Sequence, residues 1–304
     1  MARKDNGPDG LVVVDKPAGY TSHDVVATLR GIARTRRVGH AGTLDPMATG
    51  VLVLGLGKAT RLLGHLALTE KEYLATIRLG QTTVTDDAEG DLTATAGAPE
   101  VDADDLAREV GRLTGDILQV PSKVSAVKID GKRAYRRVLD GEDVEIPARP
   151  VTVSEFTVHE IRTGAADDGT PVTDLVVAVV CSSGTYIRAL ARDLGEALGT
   201  GGHLTALRRT RVGPYRVADA RTIGQLRAEL APMPLAAAAA AAFPRWELDD
   251  RRAALLGNGV RIDMPSDMPA GPIAALAGDG RLVALVESDE GRARILAVLE
   301  RAQG

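Results

Sequence analysis

Segments with the apolar period of a strand and segments with that of a helix follow one another along this chain in no regular order, which constrains its fold more than any other sequence feature. Leu11–Val14 is a short apolar run ending at Asp15-Lys16-Pro17 and reads as a buried strand leaving into a turn. Ser22 stands where it can cap a helix whose stripe is Val25, Val26, Leu29 and Ile32, with Arg30, Arg34, Arg36 and Arg37 on or just past its end. The glycine-bounded run Gly50–Gly57 predicts a strand, Lys58–Leu66 has helical spacing, and Tyr73–Leu79 alternates with Ala75, Ile77 and Leu79 on one face. "DDAEGD", Asp86 to Asp91, reads as a polar loop, and Leu106, Val110 and Leu113 mark a helix. Val120–Ile129 leads to the turn Asp130-Gly131, after which a short helix is predicted over Ala134–Leu139. Val151–Ile161 and Val172–Cys181 are strand-like, and Ile187, Leu190, Leu194 and Leu198 form a helix stripe closed by Gly199. This order predicts an α+β fold rather than a doubly wound one.

At 304 residues the chain exceeds the usual size of one domain, so a main domain and a smaller second one are expected. The boundary falls near Pro232–Pro244, "PMPLAAAAAAAFP", where proline punctuation meets an alanine tract. The tract reads as linker or as helix, and alanine's propensity favours a packed helix. Beyond it, Ile273–Ala277, Leu282–Glu287 and Ala293–Leu299 are separated by "GDG" and "SDEGR", the pattern of a small antiparallel barrel or meander. The expected domains are therefore 1–232 and 245–304.

Aromatic residues make up only 3% of the chain, so the core must be aliphatic and each tyrosine carries individual weight. A net charge of -4 argues against a generic DNA-coating protein, although a local basic face can sit within an acidic total. The single cysteine, Cys181, rules out an intramolecular disulfide framework and multi-cysteine zinc sites and fits a reducing, cytoplasmic compartment. "MARKDNGPDG" has no apolar signal core, and Leu235–Phe243 is too short to cross a bilayer, so a soluble protein without a membrane partner is expected.

Familiar cofactor and metal motifs fail on inspection. "GLGKAT", Gly55 to Thr60, has Ala59 where a phosphate loop needs Ser or Thr and Leu52 where its first glycine belongs, and Thr60 breaks the dinucleotide pattern. "CSSGTY" leaves Ser182 and Ser183 outside the Gly-x-Ser-x-Gly context and reads more simply as a strand end feeding a helix through Ser or Thr capping. His23, His40, His65, His159 and His203 lack metal-ligand spacing, so no metal and no cofactor are expected. What remains is "GHAGTLDPMATG", Gly39 to Gly50, in which Asp45 stands in a glycine- and threonine-rich turn. An Asp before Pro commonly builds its own turn. Here His40 is close by and Arg34, Arg36 and Arg37 approach from upstream without intervening acid, a composition that suits a polyanion or a solvated helix end.

"DKPAGYTSHDVV", "RRVGHAGTLDPMATGVLVLGLGKATRLL", "EYLATIRLGQTTVTDDAEG", "KVSAVKIDGKRAY", "CSSGTYIRALARDLGEALG" and "GGHLTALRRTRVGPY" occur in that order. Together they resemble the signature blocks of the TruB family, the bacterial tRNA pseudouridine-55 synthases. The tail from Trp246 is similar, more loosely, to the small PUA-like barrel at the end of that family.

The resemblance implies a pseudouridine synthase fold, α+β with a mixed, largely antiparallel sheet flanked by helices, followed by a PUA-like β-barrel domain that binds RNA. It also implies isomerisation of the T-loop uridine 55 of tRNA, with extrusion of the base from its stack. Asp45 matches the family's aspartate nucleophile, and a carboxylate that forms a covalent intermediate needs no redox agent or metal. Tyr73 matches the tyrosine that stacks on the target base and helps move a proton. Tyr186 and Arg188 match an active-site tyrosine and arginine, the latter expected beside Asp45 to keep it ionised and oriented. His40 matches a histidine that fills the disrupted loop, and Leu207 an apolar pocket residue. Arg36, Arg37, Lys58, Arg208 and Arg209, together with Arg211, are expected on phosphates. So are Lys128, Lys132, Arg133, Arg136 and Arg137 if they share a face with Arg34–Arg37. Val124 departs from the tyrosine that many relatives carry.

Taken singly, each residue also has a plainer reading: a half-buried strand tyrosine at Tyr73, a structural histidine, packing at Tyr186, a core leucine and solvated arginines. For Arg188 the plainer reading is a surface ion pair with Asp193 or Glu196. The expected partner is tRNA through its T-arm, bound by a monomer. A tRNA-binding or folding factor of the same lineage and a small-substrate hydrolase using Ser183 or Asp45 stay open on the residues alone, as do attack at uracil C6 and at ribose C1′.

Overall fold

The computed structural model describes residues 7–98, 100–122 and 146–300, with the backbone of 128–129 and 132–133. Contacts divide the chain into two compact units, the first Met1–Pro46, Gly50–Thr69 and Val212–Gly304, the second Met47–Thr49 and Glu70–Arg211. The fold is α+β, with sheets that are largely antiparallel and flanked by helices.

The chain opens with β1 (Gly10–Lys16), α1 (Ser22–Ala33), β2 (Val38–His40) and β3 (Thr49–Leu56), then a 3-10 turn over Gly57–Arg61 and one α turn, α2 (Leu63–Leu66). Both β1 and β2 pair antiparallel with β3. Leu11–Val14 has no polar residue because both faces of the strand are covered. Leu11 and Val13 enter a core with Val51, Val53, Tyr215, Ala238 and Phe243, whereas Val12 and Val14 enter another with Val25, Val26 and Leu29 of α1. Lys58–Leu66 is not one continuous helix. The chain folds back so tightly there that a Cβ on Gly55 would lie 2.8 Å from the Ala59 backbone.

Thr21, not Ser22, caps α1: its hydroxyl accepts from Asp24 N, and the Asp24 carboxylate accepts from Thr21 N. Ser22 is buried one residue further on, where its Oγ accepts from Leu44 N at 2.9 Å and donates to Leu44 O at 3.2 Å. At the end of β1, Lys16 is 0% exposed, and its ammonium donates to Tyr20 O at 2.5 Å, Pro17 O at 3.0 Å and Pro46 O at 3.1 Å. Gly19 N also donates to Pro46 O, at 2.9 Å. Leu44 and Pro46, the neighbours of Asp45, are thus each tied by a buried polar side chain.

The second unit contains β4 (Lys71–Leu79), β5 (Thr82–Thr83), β6 (Leu92–Ala94), α3 (Ala103–Arg112), β7 (Gly115–Gln119), β8 (Lys128–Ile129), β9 (Lys132–Arg133), β10 (Arg149–Ala165) and β11 (Pro171–Cys181). It ends with α4 (Ile187–Ala197) and β12 (Gly202–Val212). Its sheet has the order β12-β4-β11-β10-β7, antiparallel from β4 to β7, with Lys71, Tyr73, Ala75, Ile77 and Leu79 turned inward from β4. β8 and β9 pair antiparallel, as a hairpin there requires. The helix predicted over 134–139, Val124, and the side chains of Lys128, Lys132, Arg133, Arg136 and Arg137 lie outside the described residues.

The chain continues with β13 (Tyr215–Arg216), α5 (Ile223–Ala228) and α6 (Leu235–Ala242), so the alanine tract is a packed helix, with Ala238 and Ala239 buried and Tyr215 Oη donating to Ala238 O at 2.8 Å. A four-stranded sheet follows, β14 (Arg245–Leu248), β15 (Ile273–Ala277), β16 (Leu282–Asp289) and β17 (Arg292–Val298). Its last three strands form the expected antiparallel meander, but β14 adds in parallel to β15. The intervening helix α7 (Asp250–Gly257) supplies the crossover that parallel pairing needs.

Ser22→Ala would leave a buried N–H and C=O of Leu44 unsatisfied, so it should lower unfolding stability by about 1–3 kcal/mol. Thr21→Ala, which removes an exposed cap, should cost about 1 kcal/mol. Urea unfolding of both variants checks the order. Burial, helped by the charge of Arg209, pushes the Lys71 ammonium down from 10.5 to about 8. Between those values the unfolded chain holds a proton that the folded protein has released, so stability should rise with pH across that window, and Lys71→Met should remove this slope.

Candidate active site

In the first unit Asp45 is half-buried on the turn between β2 and β3, which Gly42 opens at a φ of 95° and Gly50 closes at 99°. His40 ends β2 opposite Leu54, and its ring meets that of His23 edge-on, with centroids 5.7 Å apart. Arg34 leaves α1 in the left-handed conformation, φ 52°, and together with Arg36 and Arg37 it is exposed. Among the described residues no carboxylate pairs with these three guanidinium groups. Lys58 differs: its ammonium is 3.9 Å from Asp9 and 3.8 Å from Glu300, which cancel much of its charge.

In the second unit the ring of Tyr73 is buried rather than half-buried and stands across from Val179; Leu207 is buried too. Arg188, on the first turn of α4, is 5% exposed and makes no surface pair with Asp193 or Glu196. Its Nη1 donates to Thr85 O at 2.9 Å and lies 3.4 Å from Asp87 Oδ2. The loop read as merely polar is therefore partly interior. Asp87 is buried, and its Oδ1 accepts from Thr85 Oγ1 at 2.5 Å and from Glu89 N at 3.0 Å. Thr83 Oγ1 holds Asp87 O at 2.7 Å. The alternating Thr83, Thr85 and Asp87 are the sequence signal for this turn, since short polar side chains two residues apart bond one another's backbone.

Asp193 pairs instead with Arg192, which also reaches Asp86 at 3.3 Å, and burial raises the Asp193 carboxyl pKa. His203 is buried with Nδ1 3.1 Å from Gln81 O, and burial lowers its pKa, which favours the neutral ring. Tyr186 occupies the N-cap of α4 with no side-chain capping bond, so Ser and Thr do not cap this helix; Thr185 Oγ1 donates to Ser182 O. Arg208 Nη1 donates to Thr49 Oγ1 at 3.2 Å. Arg209 is 1% exposed, so it belongs to the interior rather than to the solvated arginines, and Arg211 is taken by Glu70 and Glu72.

The first unit offers a carboxylate and exposed arginines, and the second offers phenols and a buried guanidinium. Among the described residues no group of three or more His, Cys, Asp or Glu is arranged to hold a metal ion, and no helix is long and apolar enough to cross a membrane.

Residues 30–187 match the family described as TruB family pseudouridylate synthase (N terminal domain). Residues 188–235 match a tRNA pseudouridylate synthase B C-terminal domain, and residues 243–300 match tRNA Pseudouridine synthase II, C terminal. Among similar proteins, the tRNA pseudouridine synthase B of Streptomyces coelicolor is 67% identical over 98% of this chain and 99% of its own length. That of Thermobifida fusca is 59% identical over 95% and 98%. Among solved structures, a Cbf5-Nop10-Gar1 complex superposes with a TM-score of 0.71 at 27% identity, covering 96% of this chain and 85% of that one. An H/ACA RNP bound to a substrate RNA gives 0.68 at 27% identity, covering 96% and 84%. With a matched N-terminal domain spanning half of its length and relatives alike from end to end, the chain belongs to the TruB family of pseudouridylate synthases.

Proposed function

We propose that this protein isomerises uridine 55 in the T-loop of tRNA to pseudouridine, in the cytoplasm and as a monomer, with Asp45 as the nucleophile and no metal or cofactor. The observation that carries the reading is the Asp45 turn: the flanking residues Leu44 and Pro46 are fixed by the buried Ser22 and Lys16, which leaves the carboxylate half-buried at a defined place. The named activity of relatives 67% identical across their whole length supports the same reading.

The target base must leave its stack, at a cost on the order of a few kcal/mol. Tyr73 offers a ring to replace the lost stacking, with Leu207 and Tyr186 as further walls, and His40 occupies the space the base vacates. Asp45 attacks at C6 of the uracil or C1′ of the ribose, and the N-glycosidic bond breaks. The base then turns and C5 bonds to C1′. The C5 proton leaves, N1 gains one, and the carboxylate is released, so atoms and charge balance without a co-reactant. Arg188 supplies the guanidinium that the resemblance assigns to the reaction, and it is itself held by Asp87 and Thr85. Arg36, Arg37 and Arg208 contact phosphates, with Lys58 and Arg209 weaker candidates because of their neighbours and burial. Residues 245–304 form the PUA-like RNA-binding domain and 1–232 the catalytic one.

Purified protein in EDTA, given an unmodified tRNA transcript tritiated at uridine C5, should release label that maps to the T-loop. Asp45→Ala should release none and still bind tRNA. No release by the wild type at stoichiometric enzyme, with binding intact, would favour a binding or folding factor. Arg36→Ala and Arg37→Ala should each reduce the slope of log affinity against log salt by about 1. Lys58→Ala should change it less, and filter binding at several salt concentrations tests the set.

A further inference from the structure

Strand β7 ends at Gln119, a polar side chain 1% exposed. Its amide meets the main chain of Tyr186 twice: Nε2 donates to Tyr186 O at 3.1 Å, and Oε1 accepts from Tyr186 N at 2.8 Å. The pairing also fixes which end of the amide is nitrogen, because a flipped group would set donor against donor and acceptor against acceptor.

This bracket lies where α4 begins. Tyr186 is the N-cap, no capping side chain serves that end, and the first turn carries no acidic residue. The helix start therefore takes its fixed position from a strand far away in sequence. Arg188 follows two residues later, buried against Thr85 and Asp87. One turn on, Arg192 Nη2 donates to Val120 O at 2.8 Å, so the consecutive residues Gln119 and Val120 hold the helix at two points. Both Gln119 bonds go to backbone atoms, so they do not depend on the Tyr186 side chain.

We propose that Gln119 is a positioning residue of the reaction: it sets the start of α4 and so aims the guanidinium of Arg188. The proposal rests on the role given to Arg188 above. A displacement of about 1 Å at a reacting group can cost about 100-fold in rate, so loss of this bracket should appear in turnover rather than in tRNA affinity.

Gln119→Met keeps the length and bulk of the side chain and removes both bonds. Single-turnover rates at saturating tRNA should fall at least about tenfold, while the concentration for half-saturation stays within about threefold. Amide exchange in a peptide covering residues 185–190 should accelerate. In an Arg188→Ala background the same change should cost less than about twofold further, because the two act through one group. Gln119→Leu, another apolar side chain of similar bulk that lacks both bonds, should lower the rate and speed exchange in the same way, which covers the case that the Met variant folds poorly. Unchanged amide exchange in a folded Gln119→Met or Gln119→Leu variant overturns the proposal, as does a full rate with accelerated exchange, or losses that multiply independently with Arg188→Ala. A normal rate in Arg188→Ala alone would instead overturn the role of Arg188, and with it any need to position it.

Discussion

A lysine ammonium with no exposure to solvent is the constraint on which the first unit depends. Taking a charge out of water costs several kcal/mol unless partners replace the lost hydration. Lys16 finds such partners in the carbonyls of Pro17, Tyr20 and Pro46, so the strand end, the following turn and the segment after Asp45 must all be in place together. Ser22 acts from the other side on Leu44. The double-sided burial of β1 makes this possible, because a strand packed between two cores cannot slide to relieve its terminal lysine.

A buried cation organises the second unit as well. Arg188 is matched by the carboxylate of Asp87, and that carboxylate is oriented by Thr85 and Glu89 through its other oxygen. Removing one member of a buried pair costs about 3–5 kcal/mol because the other charge is left behind. The turn, the helix start and the guanidinium therefore behave as one polar assembly. Tyr73 is buried on the inward face of β4, where burial alternates along the strand, and Leu207 is buried on β12.

Charge is distributed to match. The total is -4, and several exposed arginines of the C-terminal stretch are matched by acids: Arg261 by Asp289, Arg281 by Asp279 and Glu300, Arg292 by Asp263, Arg294 by Glu287, whereas Arg245 and Arg251 have no such pair among the described residues. Exposed pairs of this kind contribute about 0–1 kcal/mol each, so their main effect is to cancel positive potential. Arg34, Arg36 and Arg37 carry no such partner among the described residues. Three neighbouring arginines at the end of α1 thus leave a local concentration of uncancelled positive charge.

The sequence by itself determined the order and type of most elements, the aliphatic core, the alanine helix and the turn that carries Asp45, because periodicity, propensity and turn chemistry are written over a few consecutive residues. Family resemblance further singled out Tyr73, Tyr186 and Arg188. Only the tertiary structure decided which of two adjacent hydroxyls caps α1 and which clamps Leu44, since Thr21 and Ser22 are chemically alike and differ only in what lies opposite them. It likewise decided that Lys16, Asp87, Gln119 and Arg209 are interior, and that β14 runs parallel to its neighbour. Each of those outcomes is a pairing between residues distant in the chain, such as Ser22 with Leu44 or Gln119 with Tyr186. A polar side chain carries no local mark of the partner that will satisfy it: the cost of burying it unpaired is enforced only once the chain has closed around it.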